Sequence, residues 1–555
     1  MKYSHGPLFI AARLLVVAAT FVFGLPLSAQ EPSVPTKLVD AAERVPVDEV
    51  LAEGLQLEQQ RRWTDAVRHY ESSLRTWEKE PRITQRLLIA RLHFDIDRRY
   101  EDKSYLDSLS AIPTPQALDL YEEVLQSLDT YYVDPPNWSE VLRFGTASLE
   151  VALTEPQFLQ TNLPSCPREK VEQFRLTVHK YVNGRPRGTK FDLRAAVAYV
   201  SSLAQDQLGL SGTATVLEYV CGAISTLDPY SRFLTRNQLD DTFSNIEGNF
   251  VGLGIELKAT DAGLQIINVI SGGPAEEAGL IPGDAITSVS GVSTAENDPD
   301  HVADLLRGPE HSLVAIDIVR RDGTAQSLQV ARRRVDVPSV EQVKIVDTEK
   351  MTGYFRLTNF QKSTVRDVEN ALWTLQRQGM QQLIVDLRGN PGGLLSAAID
   401  VADHFIDRGR IVITRGRYSS DNRDYFAHAP KTWNIPLIVL IDGDSASASE
   451  IFAGAIRDSN RGTLIGQRTF GKGSVQGIFC MQSAQVGLSL TTAKFFSPNN
   501  IAISNSGVVP HITIVPTYIS ARPTEHGTLA TIEEDAILSA AIRQARGESR
   551  LSQLP

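Results

Sequence analysis

The sequence predicts a multi-domain α/β protein: a helical N-terminal region, then a small β-rich module, then an α/β layered core. A chain of 555 residues is too long for one compact core. Helical periodicity dominates up to about residue 245, short strands with glycine turns follow, and strands alternate with helices from residue 350 onward. The net charge of −11 argues against nucleic-acid binding.

Residues 1–29 are typical of a secretory signal peptide. Lys2, His5 and Arg13 precede the apolar run LLVVAATFVFGL, and residues 27–29 include a small residue suited to cleavage. The apolar run is short for a membrane span of about 20 residues, so an uncleaved anchor is the less favoured alternative. We expect an exported protein, periplasmic or otherwise extracytoplasmic, that is tethered to a membrane only if this segment is retained.

Residues 30–114 are predicted to be helical and to contain one tetratricopeptide-like hairpin. Gly54, Ala66 and Tyr70 have the small–small–aromatic spacing of that unit. One unit cannot bury its own face, so a plain docked hairpin and a peptide-binding module are both open, and an adaptor protein is a candidate partner. Residues 115–245 continue the helical pattern, with Pro229 expected to end the last long helix.

The chain has three cysteines, Cys166, Cys221 and Cys480. Because their number is odd, at least one thiol is free unless an intermolecular disulfide forms. The sequence does not decide whether any two of them pair. None has the C-x-x-C spacing of a metal site, and we expect no metal.

The β-rich module covers residues 246–335. GLGI at 252–255 and GPAEEAGLIPGD at 273–284, in a strand-rich stretch with glycine turns, resemble a PDZ domain. The resemblance implies that the loop of Gly252, Leu253, Gly254 and Ile255 turns backbone N–H groups toward a peptide's terminal carboxylate, while the peptide adds as a strand. An unliganded structural module is the alternative.

Strands and helices alternate in an α/β core at residues 336–520, and residues 521–555 contain a C-terminal helix and tail. Residues 466–472, GQRTFGK, match most of a phosphate-binding loop. However, Gly473 stands where such a loop needs Ser or Thr, and the following GSVQGIFCM does not read as the required helix. We therefore expect no nucleotide cofactor.

The lysine of that stretch suits proton transfer better. Ser445, Ser447 and Ser449 follow a buried strand at the mouth of a helix, where a hydroxyl is exposed to a base. An unperturbed lysine is only about 0.04% neutral at pH 7, but burial lowers its pKa by several units. Lys472 lies between two glycines, which permit close backbone approach, and Gln476 is placed to orient its amine.

The segment DSASASEIFAGAIRDSNRGTLIGQRTFGKGSVQ closely resembles the catalytic segment of the carboxyl-terminal processing peptidases, also called tail-specific proteases. DLRGNPGGLL at 386–395 and TLDPYSRFL at 226–234 resemble two further motifs of the family, and the likeness runs from about residue 118 to 545. It implies a crotonase-like core and substrates that are proteins with free C-terminal tails.

The resemblance also assigns roles to individual residues. It implies that Ser447 is the nucleophile, that Lys472, 25 positions later, is the general base, and that Gln476 orients the lysine. The oxyanion hole would use the N–H of Ala448 and of one glycine, with Gly392 and Gly393 left as alternatives. Asn500 and His511 depart from the family pattern outside this set, which bears on loop geometry rather than on chemistry.

Two other interpretations compete with this one. A Ser-His-Asp hydrolase would need His404 or His428, which read as a helix end and a loop residue. A latent PDZ and tetratricopeptide-like scaffold would be expected to have lost the serine, the lysine or the glutamine. Because all three are present, the sequence predicts an exported serine endopeptidase that cleaves proteins at or near their C-terminal tails; Ser445 and Ser449 are interpreted as turn and helix-cap serines.

Overall fold

The computed structural model describes residues 15–17 and 46–548, apart from 78–79, 185–187, 261–262, 296–301, 304, 429–431 and 515–534. The predicted signal peptide therefore lies outside the described residues, except for a short strand β1 (Leu15–Val17) that pairs with the strand bearing Gln476. The final residues, 549–555, also lie outside them. Within the described ranges, no helix is long and apolar enough to cross a membrane.

Residues 47–247 form the predicted helical region. Its elements are α1 (Val47–Gln59), α2 (Trp63–Thr76), α3 (Pro81–Glu101), α4 (Lys103–Ala111), α5 (Thr114–Tyr131), α6 (Trp138–Ala152), α7 (Pro156–Asn162), α8 (Arg168–Asn183), α9 (Lys190–Leu208), α10 (Gly212–Ile224), strand β2 (Arg232–Leu234) and α11 (Arg236–Glu247). Helix α10 is apolar on nearly every side and is buried along its whole length against α5, α6 and α9.

The expectation that Pro229 ends α10 is wrong, because the helix ends at Ile224. The N–H of Leu227 bonds to the carbonyl of Ile224 at 3.0 Å, which tightens the chain into a turn before the proline is reached. The residues after this turn lead into β2, which pairs with a strand of the core. The TLDPYSRFL segment is thereby carried from the helical region to the core.

The N-terminal hairpin is formed by α1 and α2, and the spacing noted in the sequence has a packing reason. Gly54 lies against the ring of Tyr70, and a Cβ at Gly54 would overlap that ring. The Tyr70 hydroxyl donates to Glu58 at 2.7 Å. The hairpin docks on the helical region through the buried Glu155, which accepts hydrogen bonds from Arg61 and His93. Peptide binding by this hairpin stays a prediction.

The β-rich module contains β3 (Asn249–Gly252), β4 (Ile255–Thr260), β5 (Gly263–Val269), α12 (Pro274–Glu277), β6 (Ala285–Val289), β7 (Val292–Ser293), β8 (Leu313–Val319), β9 (Ala325–Ala331) and β10 (Arg333–Asp336). One antiparallel sheet has the order β4-β5-β6-β8-β9, with β7 on β6, while β3 and β10 form a separate ribbon. Strand β4 is therefore an edge strand of the sheet. The sequence also predicts a second short helix in this module, near residues 298–308, of which residues 298–301 and 304 lie outside the described part of the chain.

The α/β core follows. Its elements are β11 (Val340–Asp347), β12 (Thr352–Leu357), α13 (Thr364–Arg377), β13 (Gln382–Asp386), α14 (Leu395–Asp403), β14 (Arg410–Gly416), β15 (Arg423–Phe426), β16 (Leu437–Ile441), α15 (Ala448–Asp458), β17 (Thr463–Gly466), β18 (Ser474–Cys480), β19 (Gly487–Phe496), β20 (Ile512–Thr513) and α16 (Ala536–Arg546). The predicted order of helical region, β-rich module and α/β layered core is confirmed.

Two sheets sandwich the helices of the core. The first has the order β11-β12-β13-β16-β17-β20 and is parallel from β12 to β20. Helices α13, α14 and α15 cover one face of it, together with the second, antiparallel sheet of β18, β19, β14 and β15. Helix α16 covers the other face. Both faces of the parallel sheet are buried, which explains the apolar runs of its central strands.

The three cysteines do not pair with one another. Cys166, Cys221 and Cys480 are all free thiols. Cys221 is buried on α10, and burial raises the pKa of its thiol to about 12. Cys480 lies exposed at the end of β18. The question of pairing that the sequence left open is thus answered for all three.

Candidate active site

The candidate nucleophile Ser447 lies where β16 has ended and α15 begins. We call residues 442–447 the serine loop and residues 387–394, which follow β13, the glycine loop. Since β13 and β16 are adjacent and parallel, both loops leave the same edge of the sheet. Ser447 has φ 57°, a left-handed conformation that costs a residue with a side chain on the order of 1–3 kcal/mol. This sharp turn sets its side chain at the start of the helix.

The two loops are bound to each other by several hydrogen bonds. The carbonyl of the buried Asn390 accepts from the N–H of Ala446 at 3.0 Å and from the Ser449 hydroxyl at 2.9 Å. The carboxylate of Asp442 accepts from the N–H of Gly389 at 3.1 Å. These contacts hold the glycine loop against the serine loop.

Ser445 and Ser449 both serve this loop contact. The Ser445 hydroxyl accepts from the N–H of Asp442 at 3.0 Å and donates to the carbonyl of Leu387 at 2.9 Å. Ser449 is the second residue of α15 rather than its cap, so the interpretation of Ser449 as a cap serine is wrong. The side chain points to the glycine loop because a better acceptor, the carbonyl of Asn390, lies there.

Lys472, the candidate base, lies between β17 and β18 and is only 1% exposed. Burial, reinforced by the charge of Arg232, lowers the pKa of its amine to about 7, while Asp228 and Glu450 act in the opposite direction. The Nζ atom lies 4.8 Å from the ring centroid of Tyr230. With that pKa about half of the amine is neutral at pH 7, which is the form that can accept a proton.

One buried carboxylate connects the candidate nucleophile to the candidate base. Oε2 of Glu450 accepts hydrogen bonds from the backbone N–H groups of Ser447 and Lys472, each at 2.8 Å. Oε1 accepts from the N–H of Gly471 at 2.7 Å and from the hydroxyl of Thr469 at 2.5 Å. Burial raises the pKa of Glu450, and these four hydrogen bonds oppose that shift. The carboxylate therefore sets the relative positions of the two backbone segments.

Sequence reasoning missed Glu450, although a signal was present. Ser447 and Glu450 have the S-x-x-E spacing of a capping box, in which the acidic side chain reaches back to the backbone N–H of the first residue. The spacing predicts that hydrogen bond. It does not predict that the same carboxylate also accepts from the backbone N–H of Lys472, because that residue lies 22 positions further along the chain.

Gln476 lies on β18 and is 1% exposed. Its Nε2 donates to the hydroxyls of Ser474 at 2.9 Å and Thr491 at 3.1 Å. Its Oε1 is buried and has no hydrogen-bond partner within the described part of the chain. A buried carbonyl oxygen without a donor is rare and calls for a functional or structural reason.

Two of the residues proposed for an oxyanion hole, Ala448 and Gly392, lie beside Ser447. Ala448 is the first residue of α15, where an N–H has no partner within the helix. Gly392 is so close that a Cβ on it would lie 2.8 Å from Cβ of Ser447 and 2.9 Å from N of Ala448. The N–H of Gly392 already donates to Oδ1 of Asn390 at 2.9 Å. Gly393 follows in a left-handed conformation with φ 136°.

The residues predicted to bind a peptide carboxylate lie at the junction between the ribbon and the sheet of the β-rich module. Gly252 ends β3, and Leu253 is buried. Gly254 has φ 78°, which favours glycine and turns the backbone there. Ile255 then begins the edge strand β4. The loop and a sheet edge therefore lie together, as strand addition by a peptide requires.

The competing interpretations of the histidines and of the phosphate loop gain no support. His404 ends α14 with Nε2 3.5 Å from Glu369, and His428 lies 3.6 Å from Asp403. Both histidines thus face carboxylates outside the serine and glycine loops. The residues after Lys472 form a strand and not the helix that holds an anion in phosphate loops.

The two departures from the family pattern have local explanations. Asn500 adopts φ 62°, a left-handed conformation that asparagine tolerates better than most residues and that suits the glycine expected there. His511 lies next to β20, where its Nδ1 accepts from the N–H of Leu464 at 2.9 Å. This hydrogen bond of His511 involves no residue of the serine loop or the glycine loop.

Comparison with known proteins places this chain in a family. Residues 351–514 match the model of peptidase family S41, and residues 265–320 match a PDZ domain. A carboxy-terminal-processing protease of Bartonella bacilliformis is 36% identical over 53% of this chain and 68% of its own length. A carboxyl-terminal-processing protease of Synechocystis is 34% identical over 54% of this chain and 70% of its own length. The carboxy-terminal processing protease CtpB of Bacillus subtilis is 33% identical over 55% and 64%.

The sequence motifs, the two matching models and these relatives all indicate the same family. A serine at a strained strand-to-helix turn, a buried lysine and a PDZ domain are present in one chain. This protein therefore belongs to peptidase family S41, among its carboxyl-terminal processing serine proteases.

Proposed function

We propose that this protein is an exported serine endopeptidase that cleaves protein substrates at or near their C-terminal tails, with Ser447 as nucleophile and Lys472 as general base. One observation carries the proposal: Lys472 is buried with a pKa lowered to about 7, and its backbone shares the carboxylate of Glu450 with the backbone of Ser447. A buried neutral amine near a strained serine is what a serine–lysine pair requires.

In the acylation step, the Lys472 amine takes the proton of the Ser447 hydroxyl as Oγ attacks the substrate carbonyl carbon. The carbonyl oxygen becomes an oxyanion, which accepts hydrogen bonds from the N–H groups of Ala448 and of the glycine loop. We favour Gly393 as the second donor, since the N–H of Gly392 is engaged by Asn390. The ammonium then protonates the leaving amine as the C–N bond breaks.

In the deacylation step, water replaces the departed peptide. Lys472 takes a proton from the water as its oxygen attacks the ester carbonyl of the acyl-enzyme, and the same oxyanion site is used again. Collapse of this intermediate releases the carboxylic acid and returns the proton to Ser447. Each cycle consumes one water and one peptide bond, so no metal or nucleotide enters the balance.

Substrate selection is assigned to the PDZ domain. Gly252, Leu253, Gly254 and Ile255 would bind the terminal carboxylate of an unfolded tail, which then adds to the edge strand β4. The N-terminal hairpin of α1 and α2 lies before the region of family likeness and is our candidate for an adaptor site. Export to a periplasmic or other extracytoplasmic compartment rests on the N-terminal sequence alone.

The test compares the purified full chain with its Ser447→Ala variant on an unfolded reporter protein that has an apolar C-terminal tail. A second reporter, identical but with an amidated C-terminus, measures the need for a free carboxylate. Mass spectrometry of the products locates the cleaved bond. The matched control is Ser506→Ala, which alters an exposed serine of the same domain.

We expect cleavage by the parent and by Ser506→Ala, none by Ser447→Ala, and slower cleavage of the amidated reporter. Equal cleavage by Ser447→Ala would overturn the assignment of the nucleophile. Tail binding without cleavage by any variant would favour a latent binding protein over an active peptidase.

A further inference from the structure

The unpartnered Oε1 of Gln476 raises the question of what determines the orientation of this side-chain amide. An amide has an accepting oxygen and a donating nitrogen of nearly the same shape, so its orientation follows from its neighbours. A flip would exchange the carbonyl oxygen and the NH2 group. For a residue proposed to orient a catalytic lysine, the two orientations have opposite chemical effects.

A chain of hydrogen bonds with a defined direction fixes the orientation. The Thr491 hydroxyl lies 2.9 Å from Oδ1 of Asp228 and donates to it, because a carboxylate can only accept. Since the hydroxyl has only one proton, it can only accept from Gln476, and the group 3.1 Å away must be Nε2. Asp228 thus determines, through Thr491, that Gln476 directs Oε1 away from this pair.

The Asp228 carboxylate is itself held in place by neighbours on its own turn. It accepts hydrogen bonds from the N–H of Tyr230 and the hydroxyl of Ser231, each at 2.8 Å. The Ser231 hydroxyl in turn accepts from the N–H of Thr491 at 3.1 Å. The turn and strand β19 are thereby joined through both the backbone and the side chain of Thr491.

The same turn also reaches the base. The ring of Tyr230 lies 4.8 Å from Nζ of Lys472. Asp228 and Lys472 belong to parts of the chain more than 240 residues apart, one at the end of the helical region and one in the core. The base site is therefore built across the junction between these two regions.

We propose that Asp228 and Thr491 are positioning residues of the peptidase reaction, which act through Gln476 to keep its carbonyl oxygen available to the amine of Lys472. The inference rests on the proposed function, because it assumes that Lys472 is the base. It adds two residues to the proposed site.

The chemistry explains why the orientation matters. A neutral amine has two N–H donors and one lone pair, and that lone pair must accept the proton of Ser447. If the carbonyl oxygen of Gln476 accepts one N–H, the amine is held with its lone pair free for the serine. If the amide were flipped, its NH2 group would donate to that same lone pair, and the base would be blocked. Hydrogen bonds of this kind commonly form only when substrate is bound, which is consistent with an unpartnered Oε1 in the free protein.

A purely structural role for Asp228 and Thr491 makes a different prediction. Asp228 organises the turn at Tyr230 and Ser231 regardless of Gln476. If that were its whole role, loss of the Thr491 hydroxyl would weaken the protein without a specific effect on the lysine. The experiment must therefore measure an effect that depends on Gln476.

The test is a double-mutant cycle in the full chain with Thr491→Val, Gln476→Ala and the double variant. Thr491→Ser retains the hydroxyl and serves as the conservative variant. Thr492→Val is the matched control, because that hydroxyl is the next on the same strand and only donates weakly to the carbonyl of Val475, at 3.4 Å. Steady-state kinetics on the reporter give kcat and KM, and thermal unfolding verifies that each variant folds.

We expect Thr491→Val to lower kcat by about 10- to 100-fold with KM changed less than twofold. Thr491→Ser should stay within about threefold of the parent, and Thr492→Val should match it. In the Gln476→Ala background, Thr491→Val should lower kcat by less than twofold, because the residue through which it acts is gone. Equal loss in both backgrounds, or no loss in either, would overturn the proposal.

A second measurement does not depend on activity. Titration of the Lys472 amine by NMR, with lysines labelled at Cε and assigned by Lys472→Met, reports the group beside it directly. Thr491→Val should lower the pKa of Lys472 by about half a unit or more, since the carbonyl oxygen that favours the ammonium is lost. An unchanged pKa would contradict the orientation argument. If the parent protein is inactive but Thr491→Val still lowers the pKa of Lys472, the result counts against the proposed function. It would still support the orientation of Gln476 by Asp228 and Thr491.

Discussion

Glu450 and Lys472, 22 residues apart in the chain, are joined by a hydrogen bond of 2.8 Å from the backbone N–H of the lysine to the carboxylate. The same carboxylate oxygen accepts from the backbone of Ser447 at 2.8 Å. The backbone segments of the proposed nucleophile and the proposed base are thus positioned by one buried acceptor.

The first prediction concerns this carboxylate. Glu450→Gln replaces one accepting oxygen by an NH2 group. In either orientation of the amide, this group meets a backbone N–H, of Ser447 or of Gly471, and two donors then face each other. We expect kcat on the unfolded reporter to fall at least 100-fold with KM little changed, and the protein to lose about 1–3 kcal/mol of stability. Glu341→Gln, an exposed site on β11, is the control and should match the parent. Activity within threefold of the parent would refute the positioning role.

The second prediction concerns pH. Since the pKa of Lys472 is about 7 and its neutral form is the base, kcat/KM should rise with pH through about 7. Arg232→Met removes a nearby positive charge that disfavours the ammonium, so it should raise the pKa of Lys472. We expect the acidic limb of the profile to move up by about one unit. Arg377→Met, at an exposed site on α13, is the control and should not shift the pH profile. A shift of the acidic limb to lower pH in Arg232→Met would contradict the prediction.

The third prediction concerns stability. The unfolded chain keeps a proton on this lysine up to about pH 10.5, whereas the folded protein releases it near pH 7. Between these values the unfolded state binds more protons, so this lysine makes stability rise with pH, and the penalty is complete below pH 7. Each pKa unit corresponds to about 1.4 kcal/mol, so the penalty amounts to several kcal/mol.

Lys472→Met removes that penalty. It should therefore raise the melting temperature at pH 7 by several degrees while abolishing activity, and the gain should shrink as pH approaches 10. Lys350→Met, at an exposed site, is the control and should have little effect at any pH. A destabilised Lys472→Met variant would show that its amine is paired more favourably than burial suggests.

The fourth prediction concerns the glycine loop. Gly392 has φ 109°, and a Cβ there would lie 2.8 Å from Cβ of Ser447. Gly392→Ala should lower kcat more than 100-fold, because it pushes the nucleophile and the adjacent N–H of Ala448 out of position. Gly409→Ala is a matched control, since Gly409 has a similar φ of 99° but no atom within 4 Å of its added Cβ. Equal losses in both variants would indicate backbone strain rather than crowding at the site.

Much of the fold followed from local patterns. The alternation of strands and helices after residue 350 and the motifs around Ser447 and Lys472 are features of neighbouring residues, which sequence periodicity and spacing record. The end of α10 was placed too late because the chain turned through its own backbone bonds before it reached Pro229. Ser449 was misjudged because its best acceptor, the carbonyl of Asn390, lies 59 residues away.

The sequence by itself determined the order of the regions, the types of their elements and the identity of the serine, lysine and glutamine. Only the tertiary structure decided that the lysine is buried, that Glu450 holds both catalytic segments, and that Asp228 meets Thr491 across 263 residues. The physical reason is that a pKa and the direction of a hydrogen bond depend on every group packed around an atom. Those groups come from distant segments, which are brought together only when the helical region closes on the core.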